Sequence, residues 1–324
     1  MGLSSSQTTW PASPERATPA PPGLRISRQL LPVLSLLLAL AITLLALHLL
    51  TANDLANSVA RLTGEVSRLS QEQSMPALVL SRHRNSICYI HAVYSLTRPS
   101  PLRGAQRVFR TRVSATGFVV APGLIATNRH VVEPWWDDDH DEDLIRLGAV
   151  PKLERLVAFF PGVASGFELR QPEVSPHTDV AVVRLTPHSK AAQFRPLPLA
   201  EAPGVPGDPV VVVGYPMGVT AMLAKSPGRV YKRLTYNGDT MEIARDLAEH
   251  YLIRPSATYG HLGDVVDEKL IYDAPTAQGG SGGPVFNSQG QVIGVNAAYI
   301  DGFAGGTIGI SVEALKPLIA KASR

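Results

Sequence analysis

Residues 279–284 read Gly-Gly-Ser-Gly-Gly-Pro, a serine held between paired glycines and closed by a proline. Glycine adopts positive φ without steric cost, so such a run can turn several backbone N–H groups toward one point. If Ser281 attacks a carbonyl carbon, that point is where the negatively charged oxygen develops. An ordinary glycine-rich turn before the apolar pair 285–286 is the alternative that this segment alone leaves open.

Two upstream segments contain the partners that a serine nucleophile needs, because a hydroxyl attacks efficiently only when a base accepts its proton. An apolar run at 115–120 and a second one at 124–126 precede Thr-Asn-Arg-His, which places His130 where a strand ends. Asp179 begins another apolar run and is suited to orient that histidine. A buried core histidine and a turn aspartate are the alternatives, and His177 is a competing base without the Thr-Asn lead-in.

Taken together, these segments resemble chymotrypsin-like serine proteases, most closely the protease domain of the Do-like (high-temperature-requirement A) family. The order His130, Asp179, Ser281 is the order of that family. The resemblance implies an all-β fold of two antiparallel six-stranded barrels, with the histidine and aspartate on the first and the serine on the second. It also implies an acyl-enzyme mechanism in which the amides of Gly279 and Ser281 form the oxyanion hole.

The resemblance extends to substrate binding. The residue six before the nucleophile, which lies at the base of the specificity pocket in trypsin-like enzymes, is the uncharged Pro275. We therefore expect a small or apolar side chain before the scissile bond. By the same resemblance, Asn296, Ala297 and Ala298 on the strand predicted at 291–298 wall the pocket and pair with the substrate backbone. The expected partners are protein or peptide segments in extended conformation.

One position departs from the family pattern. The residue before the nucleophile is Gly280, where relatives carry Asp or Asn. In digestive proteases that aspartate forms a buried salt bridge which completes activation, and glycine cannot form it. The sequence therefore leaves open whether the oxyanion hole is formed by default.

The chain also contains an apolar stretch from Leu30 to Leu50 without a charged residue, and about 20 such residues span a bilayer as a helix. We predict an uncleaved signal anchor at 29–50; a cleaved signal peptide and a buried core helix are the alternatives. Three arginines precede the stretch, so the N-terminus is expected in the cytoplasm and the protease outside it. This predicts a single-pass protein of the inner membrane with a periplasmic or extracytoplasmic protease.

The segments around this span have their own patterns. Residues 1–28, rich in Pro, Ser and Thr, predict a disordered cytoplasmic tail. Residues 51–76 predict a helical or coiled-coil linker that ends before Pro76. Apolar residues in it recur alternately every four and three positions, and this seam at 55–69 could join copies of the chain. A single helix lying on the protease or on the membrane is the alternative. The seam consists of Leu55, Val59, Leu62, Val66 and Leu69.

The remaining residues divide into a first barrel at 77–200 and a second at 201–324, with the division near 199–207. We expect no PDZ-like region after the protease. The acidic run 137–143 lacks the glycine and spacing of a calcium loop and predicts a solvated loop. Residues 239–251 predict a surface helix, which is either a lid or an accessory element. The one cysteine, Cys88, excludes an intrachain disulfide and is expected to be buried and inert.

The composition limits the remaining function classes. A net charge of +3 gives no reason to expect nucleic-acid binding, and no metal, cofactor or phosphate motif is present. The sequence predicts a membrane-anchored serine endopeptidase in envelope protein quality control or signalling. Two alternatives stay open: a catalytically latent, peptide-binding protease fold, and an oligomeric membrane scaffold.

Overall fold

The structure is a computed structural model that describes residues 30–99, 106–136, 138–186, 193–234, 239–299 and 306–324. The chain consists of an N-terminal unit, Met1–Ser67, and a compact unit, Arg68–Arg324, that contains the twelve described strands. The predicted tail at 1–28 and Asp137 of the acidic run lie outside the described residues.

Six antiparallel strands form the first closed barrel, in the order β1-β2-β3-β6-β5-β4. The barrel closes because β4 pairs back onto β1, so no strand edge is left open between them. The strand bounds are β1 Ile87–Pro99, β2 Gln106–Ala121, β3 Leu124–Thr127, β4 Val150–Phe159, β5 Phe167–Val174 and β6 Ala181–Thr186.

Six further strands form the second closed barrel, in the order β10-β11-β12-β9-β8-β7. The predicted all-β fold of two six-stranded barrels is therefore confirmed. The predicted division near 199–207 lies between the last strand of one barrel and the first strand of the next. The bounds are β7 Pro209–Gly214, β8 Ser256–Val266, β9 Lys269–Tyr272, β10 Pro284–Phe286, β11 Val292–Tyr299 and β12 Thr307–Ser311.

Short helices occupy the connections. Between β3 and β4 lie α2 (Arg129–Val132) and α3 (Asp139–Arg146). Between β7 and β8 lie α4 (Gly218–Ala224), α5 (Gly228–Leu234) and α6 (Thr240–Glu249).

The C-terminal helix α7 (Val312–Ala322) follows the second barrel but is tied to the first. The Arg184 guanidinium of β6 donates to the Ala322 carbonyl over 2.6 Å, and Lys321 forms an ion pair with Glu173 of β5. This return of the chain links the two barrels.

The N-terminal helix α1 runs from Leu31 to His83 and includes Pro76. The prediction that the helical linker ends before Pro76 is therefore wrong. A proline in a helix interior costs about 3 kcal/mol because it removes a backbone hydrogen bond and crowds the preceding turn. The turns beside it bury Met75 and Val79, each 5% exposed, in the apolar core. This tertiary packing outweighs the local cost.

The N-terminal part of α1 is the one described helix that is long and apolar enough to cross a membrane, judged by length and composition. Its most apolar stretch has a mean hydropathy of 2.6, and none of that stretch is buried. Such a helix near the N-terminus also fits a signal sequence. The five seam residues from Leu55 to Leu69 are exposed as well.

Two predictions, for the acidic run and for the surface helix at 239–251, need correction. The acidic run is not a solvated loop, since its described part forms most of α3, with Asp138 capping the amide of Asp141. Asp141 is buried and accepts a hydrogen bond from the Tyr94 hydroxyl, and this contact stabilises the helix against β1. Helix α6 is not merely a surface element, because Met241, Leu247 and two alanines on one face belong to the core.

Candidate active site

The histidine and the aspartate meet because β3 and β6 are antiparallel neighbours. Thr127, the last residue of β3, pairs with Ala181, the first residue of β6. His130 follows β3 in the first turn of α2, and Asp179 precedes β6, so both lie at the same end of the strand pair.

Both oxygens of the Asp179 carboxylate bind His130. One accepts from the imidazole Nδ1 over 2.7 Å and the other accepts from the His130 amide over 3.0 Å. Asn128 in turn donates its side-chain amide to the Asp179 carbonyl over 2.7 Å. A carboxylate at Nδ1 keeps the proton on that nitrogen, which leaves Nε2 free to accept one. The predicted competitor His177 is exposed, and its described hydrogen bond is a backbone contact to Ser175.

The Ser281 loop of the second barrel is bonded to the first barrel by Thr116. The Thr116 amide donates to the Ser281 carbonyl over 2.8 Å, and its hydroxyl donates to the Gly279 carbonyl over 2.8 Å. Thr127, three residues before His130, donates to the Thr116 carbonyl over 2.8 Å. Thr116 therefore contacts both β3, the strand that leads to His130, and the loop that carries Ser281.

Gly282 shows how closely the two barrels meet. It has φ +84°, and a Cβ atom there would lie 2.0 Å from the Thr116 carbonyl oxygen and 2.3 Å from the Thr127 hydroxyl. Only glycine fits this position, next to the nucleophile and within contact of the end of β3.

The hydroxyl of Ser281 donates to the Ala297 carbonyl over 3.0 Å. Within the described residues it forms no hydrogen bond with His130. The side chain that the sequence predicts as nucleophile thus rests on strand β11, beside the histidine loop and not bonded to its ring.

The Gly279 amide, one of the two predicted oxyanion-hole donors, is oriented by a contact on the opposite side of the loop. The Gln278 carbonyl accepts from the Met217 amide over 2.7 Å. In a trans peptide the C=O and N–H groups point in opposite directions, so the Gly279 N–H is turned away from Met217. Neither the Gly279 nor the Ser281 amide donates to an acceptor in the described part of the chain. Both amides are therefore available to an external oxygen.

Strand β11 changes partners next to the serine. It pairs with β10 only as far as Val295, and a bulge between Asn296 and Ala298 sets Ala297 out of the ladder with β12. The Ala297 carbonyl is therefore not taken up by the ladder with β10 or β12, and it accepts from the Ser281 hydroxyl. A further strand can pair with β11 where β10 has ended. Ala298 is exposed, and so is Pro275, the predicted base of the specificity pocket.

Asn296 has a different environment from its neighbours. It is 1% exposed, and its backbone amide and carbonyl bond Gly283 and Gly282. Its side chain contacts Tyr272 and Thr276. It therefore supports the candidate site from beneath, whereas the Ala297 carbonyl contacts the Ser281 hydroxyl directly.

Thr116, Tyr272 and Met217 contact the candidate site or its supporting residues, and none of them was predicted to do so. Thr116 lies inside a strand pattern, and nothing in the local sequence distinguishes it from other strand residues. Met217 has φ +62°, an unusual value for a non-glycine residue, and sequence alone does not reveal it.

Cys88 is fully buried, as predicted, and burial raises the pKa of its thiol. In the parts of the chain that the structure describes, no group of three or more His, Cys, Asp or Glu side chains is arranged to hold a metal ion.

The family profile described as trypsin-like peptidase domain matches residues 115–295, which include the histidine, the aspartate and the serine. The chain belongs to the trypsin-like peptidase family. Its members with similar sequences include serine protease Rv3671c of Mycobacterium tuberculosis, 27% identical over 205 residues. They also include a probable periplasmic serine endoprotease, DegP-like, of Chlamydia pneumoniae, 30% identical over 200 residues.

The aligned regions cover 63% and 61% of this chain but only 41% and 31% of those two proteins. The chain thus spans less than half the length of these trypsin-like relatives. Among solved structures, a variant of the HtrA-type protease AlgW with a decapeptide has a TM-score of 0.51 at 15% identity. It covers 76% of this chain and 67% of that one, and this similarity concerns the fold.

Proposed function

We propose that this protein is a serine endopeptidase that hydrolyses peptide bonds through an acyl-enzyme. The observation that carries the proposal is the 2.7 Å contact between His130 Nδ1 and the Asp179 carboxylate, beside a serine loop with two unpaired amides. Membership in the trypsin-like family and similarity to HtrA-type and DegP-like proteases support it.

In this mechanism Ser281 attacks the substrate carbonyl carbon while His130 Nε2 accepts its proton. Asp179 holds the imidazole in the required tautomer and stabilises the imidazolium that forms. The Gly279 and Ser281 amides bind the developing oxyanion. His130 then protonates the leaving amine, and water attacks the acyl-enzyme with the same histidine as base.

The substrate is an extended peptide that adds as a strand to the free part of β11. Its backbone N–H would donate to the Ala297 carbonyl, which the Ser281 hydroxyl occupies in the unliganded structure. Substrate binding would then release the hydroxyl toward His130. The exposed, uncharged Pro275 at the pocket base supports a small or apolar residue before the scissile bond. The decapeptide in the AlgW structure agrees with peptide binding by this fold.

The protein is further proposed to be anchored in the inner membrane by residues 29–50, with a cytoplasmic N-terminus and an extracytoplasmic protease. The exposed apolar part of α1 and the arginines that precede it support this arrangement. A periplasmic DegP-like relative favours work on envelope proteins, either in quality control or in signalling. Proteinase K added to intact spheroplasts should digest the C-terminal protease and spare an N-terminal tag; the reverse pattern would contradict the orientation.

The exposed seam at 55–69 supports a homo-oligomer. Valines occupy one of its two core positions and leucines the other, a combination that favours two parallel helices. Leu62→Asp should dissociate the oligomer of the full chain in detergent, measured by its mass. Ala60→Asp, off the seam on the same helix, is the control. A monomeric wild type would remove this proposal and with it the scaffold function.

A latent, peptide-binding protease fold is the second candidate function. The bond between the Ser281 hydroxyl and the Ala297 carbonyl favours it, because a serine held there is not activated. The endopeptidase and the latent fold differ in whether the Ser281 hydroxyl can act as a nucleophile.

Fluorophosphonate labelling of the full-length protein in detergent micelles distinguishes them. We expect labelling of the wild type and of His177→Ala, and none of Ser281→Ala or His130→Ala. His177→Ala is the matched control because it removes the competing histidine. A folded wild type that is not labelled, but binds extended peptides, would exclude the endopeptidase and favour the latent fold.

A further inference from the structure

Gly280, the residue before the nucleophile, is enclosed by the protein. A Cβ atom at this position would lie 2.4 Å from the Thr276 hydroxyl oxygen, 3.0 Å from the Ala277 carbonyl and 3.4 Å from the Asn296 side-chain nitrogen. The space that an Asp or Asn side chain at residue 280 would need is therefore occupied by two other polar side chains of this chain.

Those two side chains belong to a hydrogen-bonded relay beneath the nucleophile loop. The Tyr272 hydroxyl donates to the Asn296 side-chain oxygen over 2.7 Å. The Asn296 side-chain nitrogen donates to the Thr276 hydroxyl over 3.1 Å. Tyr272 is fully buried and Asn296 is 1% exposed, so water does not compete effectively for these contacts.

The relay crosses one strand of the second barrel. Tyr272 ends β9 and Asn296 lies on β11, with β12 between them. A Cβ atom at Gly309 of β12 would lie 3.1–3.2 Å from the Tyr272 ring and hydroxyl. The glycine thus lets the tyrosine pass closely over β12 and reach the asparagine.

The relay and the Met217 contact act on the two ends of one short segment. Asn296 holds Thr276 at the start of residues 276–279, and the Met217 amide holds the Gln278 carbonyl at its end. Met217 keeps φ +62°, a strained value for a non-glycine residue, while making this contact. The turn formed by this segment is closed by the Gly280 amide, which donates to the Ala277 carbonyl over 2.8 Å.

From these contacts we infer that Thr276 and Asn296 are positioning residues that hold the oxyanion-hole loop in its open form, replacing a side chain at residue 280. The relay consists of neutral groups that are present in the chain as it folds. It requires no new charged group, unlike the aspartate salt bridge that the resemblance to digestive proteases would imply. This inference rests on the proposed function, because it assigns a role within the same catalytic site.

The test compares Thr276→Val with Thr276→Ser in the full-length protein in detergent. Valine has nearly the shape of threonine but cannot accept from Asn296, whereas serine keeps the hydroxyl. We expect Thr276→Val to lower kcat about 10- to 100-fold with KM within about twofold, because misplacement of the hole affects the transition state more than the bound substrate. The Thr276→Ser variant should keep kcat near the wild-type value.

Hydrogen exchange of the backbone amides supplies a readout that does not depend on activity. We expect faster exchange in residues 276–283 of Thr276→Val, and wild-type exchange there in Thr276→Ser. Unchanged exchange in Thr276→Val would overturn the inference, as would unchanged kcat despite faster exchange. If the wild type proves inactive, the proposed function fails, and exchange alone then decides whether the relay orders the loop.

Tyr272→Phe provides a second, independent variant, because it removes only the hydroxyl that begins the relay. If the three side chains act as a unit, Tyr272→Phe combined with Thr276→Val should lower kcat by less than the product of the two single effects. If the loss of kcat in the double variant equals the product of the two single losses, the three side chains do not act as a unit. That result would overturn the inference, even if each single variant is impaired.

Discussion

The amide of Thr116 in the first barrel donates a 2.8 Å hydrogen bond to the carbonyl of Ser281 in the second. The hydroxyl of the same threonine donates to the Gly279 carbonyl and accepts from the Tyr215 amide. One fully buried residue thus connects the loop that carries Ser281 to the barrel that carries His130 and Asp179. These bonds join the two barrels at the point where the chemistry is proposed.

Replacing Thr116 with valine should therefore impair both stability and activity. The substitution leaves the Gly279 carbonyl and the Tyr215 amide without a partner, at about 1–3 kcal/mol for each buried group. We expect a lower unfolding temperature and slower fluorophosphonate labelling of the full-length protein. Thr116→Ser keeps the hydroxyl and is the control; a Thr116→Val protein as stable and reactive as the wild type would contradict this role.

Replacing Asp179 with asparagine should reduce kcat by about 10⁴-fold, the size of the effect when this carboxylate is lost from a Ser-His-Asp mechanism. The asparagine cannot accept from both the amide and Nδ1 of His130, so the imidazole is no longer held in the reactive tautomer. Steady-state peptide cleavage measures the change. Asp208→Asn, at an aspartate that caps the Val205 amide in the turn before β7, is the matched control. Equal losses in both variants would show that the effect is not specific to the triad.

The contact between the Ser281 hydroxyl and the Ala297 carbonyl predicts a particular dependence on the substrate backbone. If a substrate N–H must displace the hydroxyl, methylation of the nitrogen of the residue before the scissile bond should raise KM and lower kcat. Backbone groups of successive residues in an extended strand point to opposite sides, so methylation of the next nitrogen upstream is the control. Cleavage of both peptides at equal rates would contradict displacement at Ala297.

The stability of the protein should decrease between neutral and acidic pH because of His91. Burial, the largest cause, lowers its pKa from 6.5 to about 4; Arg112 and Arg155 also lower the pKa, while Asp239 raises it. The unfolded state then binds a proton that the folded state does not, so this contribution is complete above pH about 6.5 and is lost as pH falls toward 4. The loss approaches about 3 kcal/mol.

Chemical unfolding at pH 7 and pH 5 measures this change. In His91→Gln the side chain can still bond the Thr240 hydroxyl, which the His91 Nε2 atom contacts over 2.8 Å, but it does not titrate. The variant should show a smaller loss between the two pH values. Part of the loss should remain, because burial lowers the pKa of His83 as well. An identical pH dependence in the two proteins would exclude His91 as its source.

Local patterns in the sequence carry much of this fold and of its candidate site. Apolar runs with glycine and proline between them predict the strands, and the serine loop, the strand-end histidine and the strand-leading aspartate are each recognisable within a few residues. The contact between His130 and Asp179 also follows from sequence once β3 and β6 are taken as neighbours. Each of these features depends on residues close together in the chain.

The failures of prediction occur where distant residues compete with local preference. Pro76 favours the end of a helix, but burial of Met75 and Val79 against the barrel keeps α1 continuous. The acidic run favours solvent, but a hydrogen bond from Tyr94, far away in sequence, buries Asp141 and stabilises α3. Neither partner can be identified from the local pattern.

The sequence by itself determined the three residues proposed for catalysis, because each lies in a short, recognisable segment. Through the family that these segments resemble, it also determined the two-barrel architecture. Only the tertiary structure decided which contacts hold the loop around Gly280, which has no side chain of its own. Those contacts come from Thr116 on β2, Met217 at the start of α4 and Asn296 on β11. Hydrogen bonds and steric limits act between atoms within a few ångströms, and folding alone brings those atoms together.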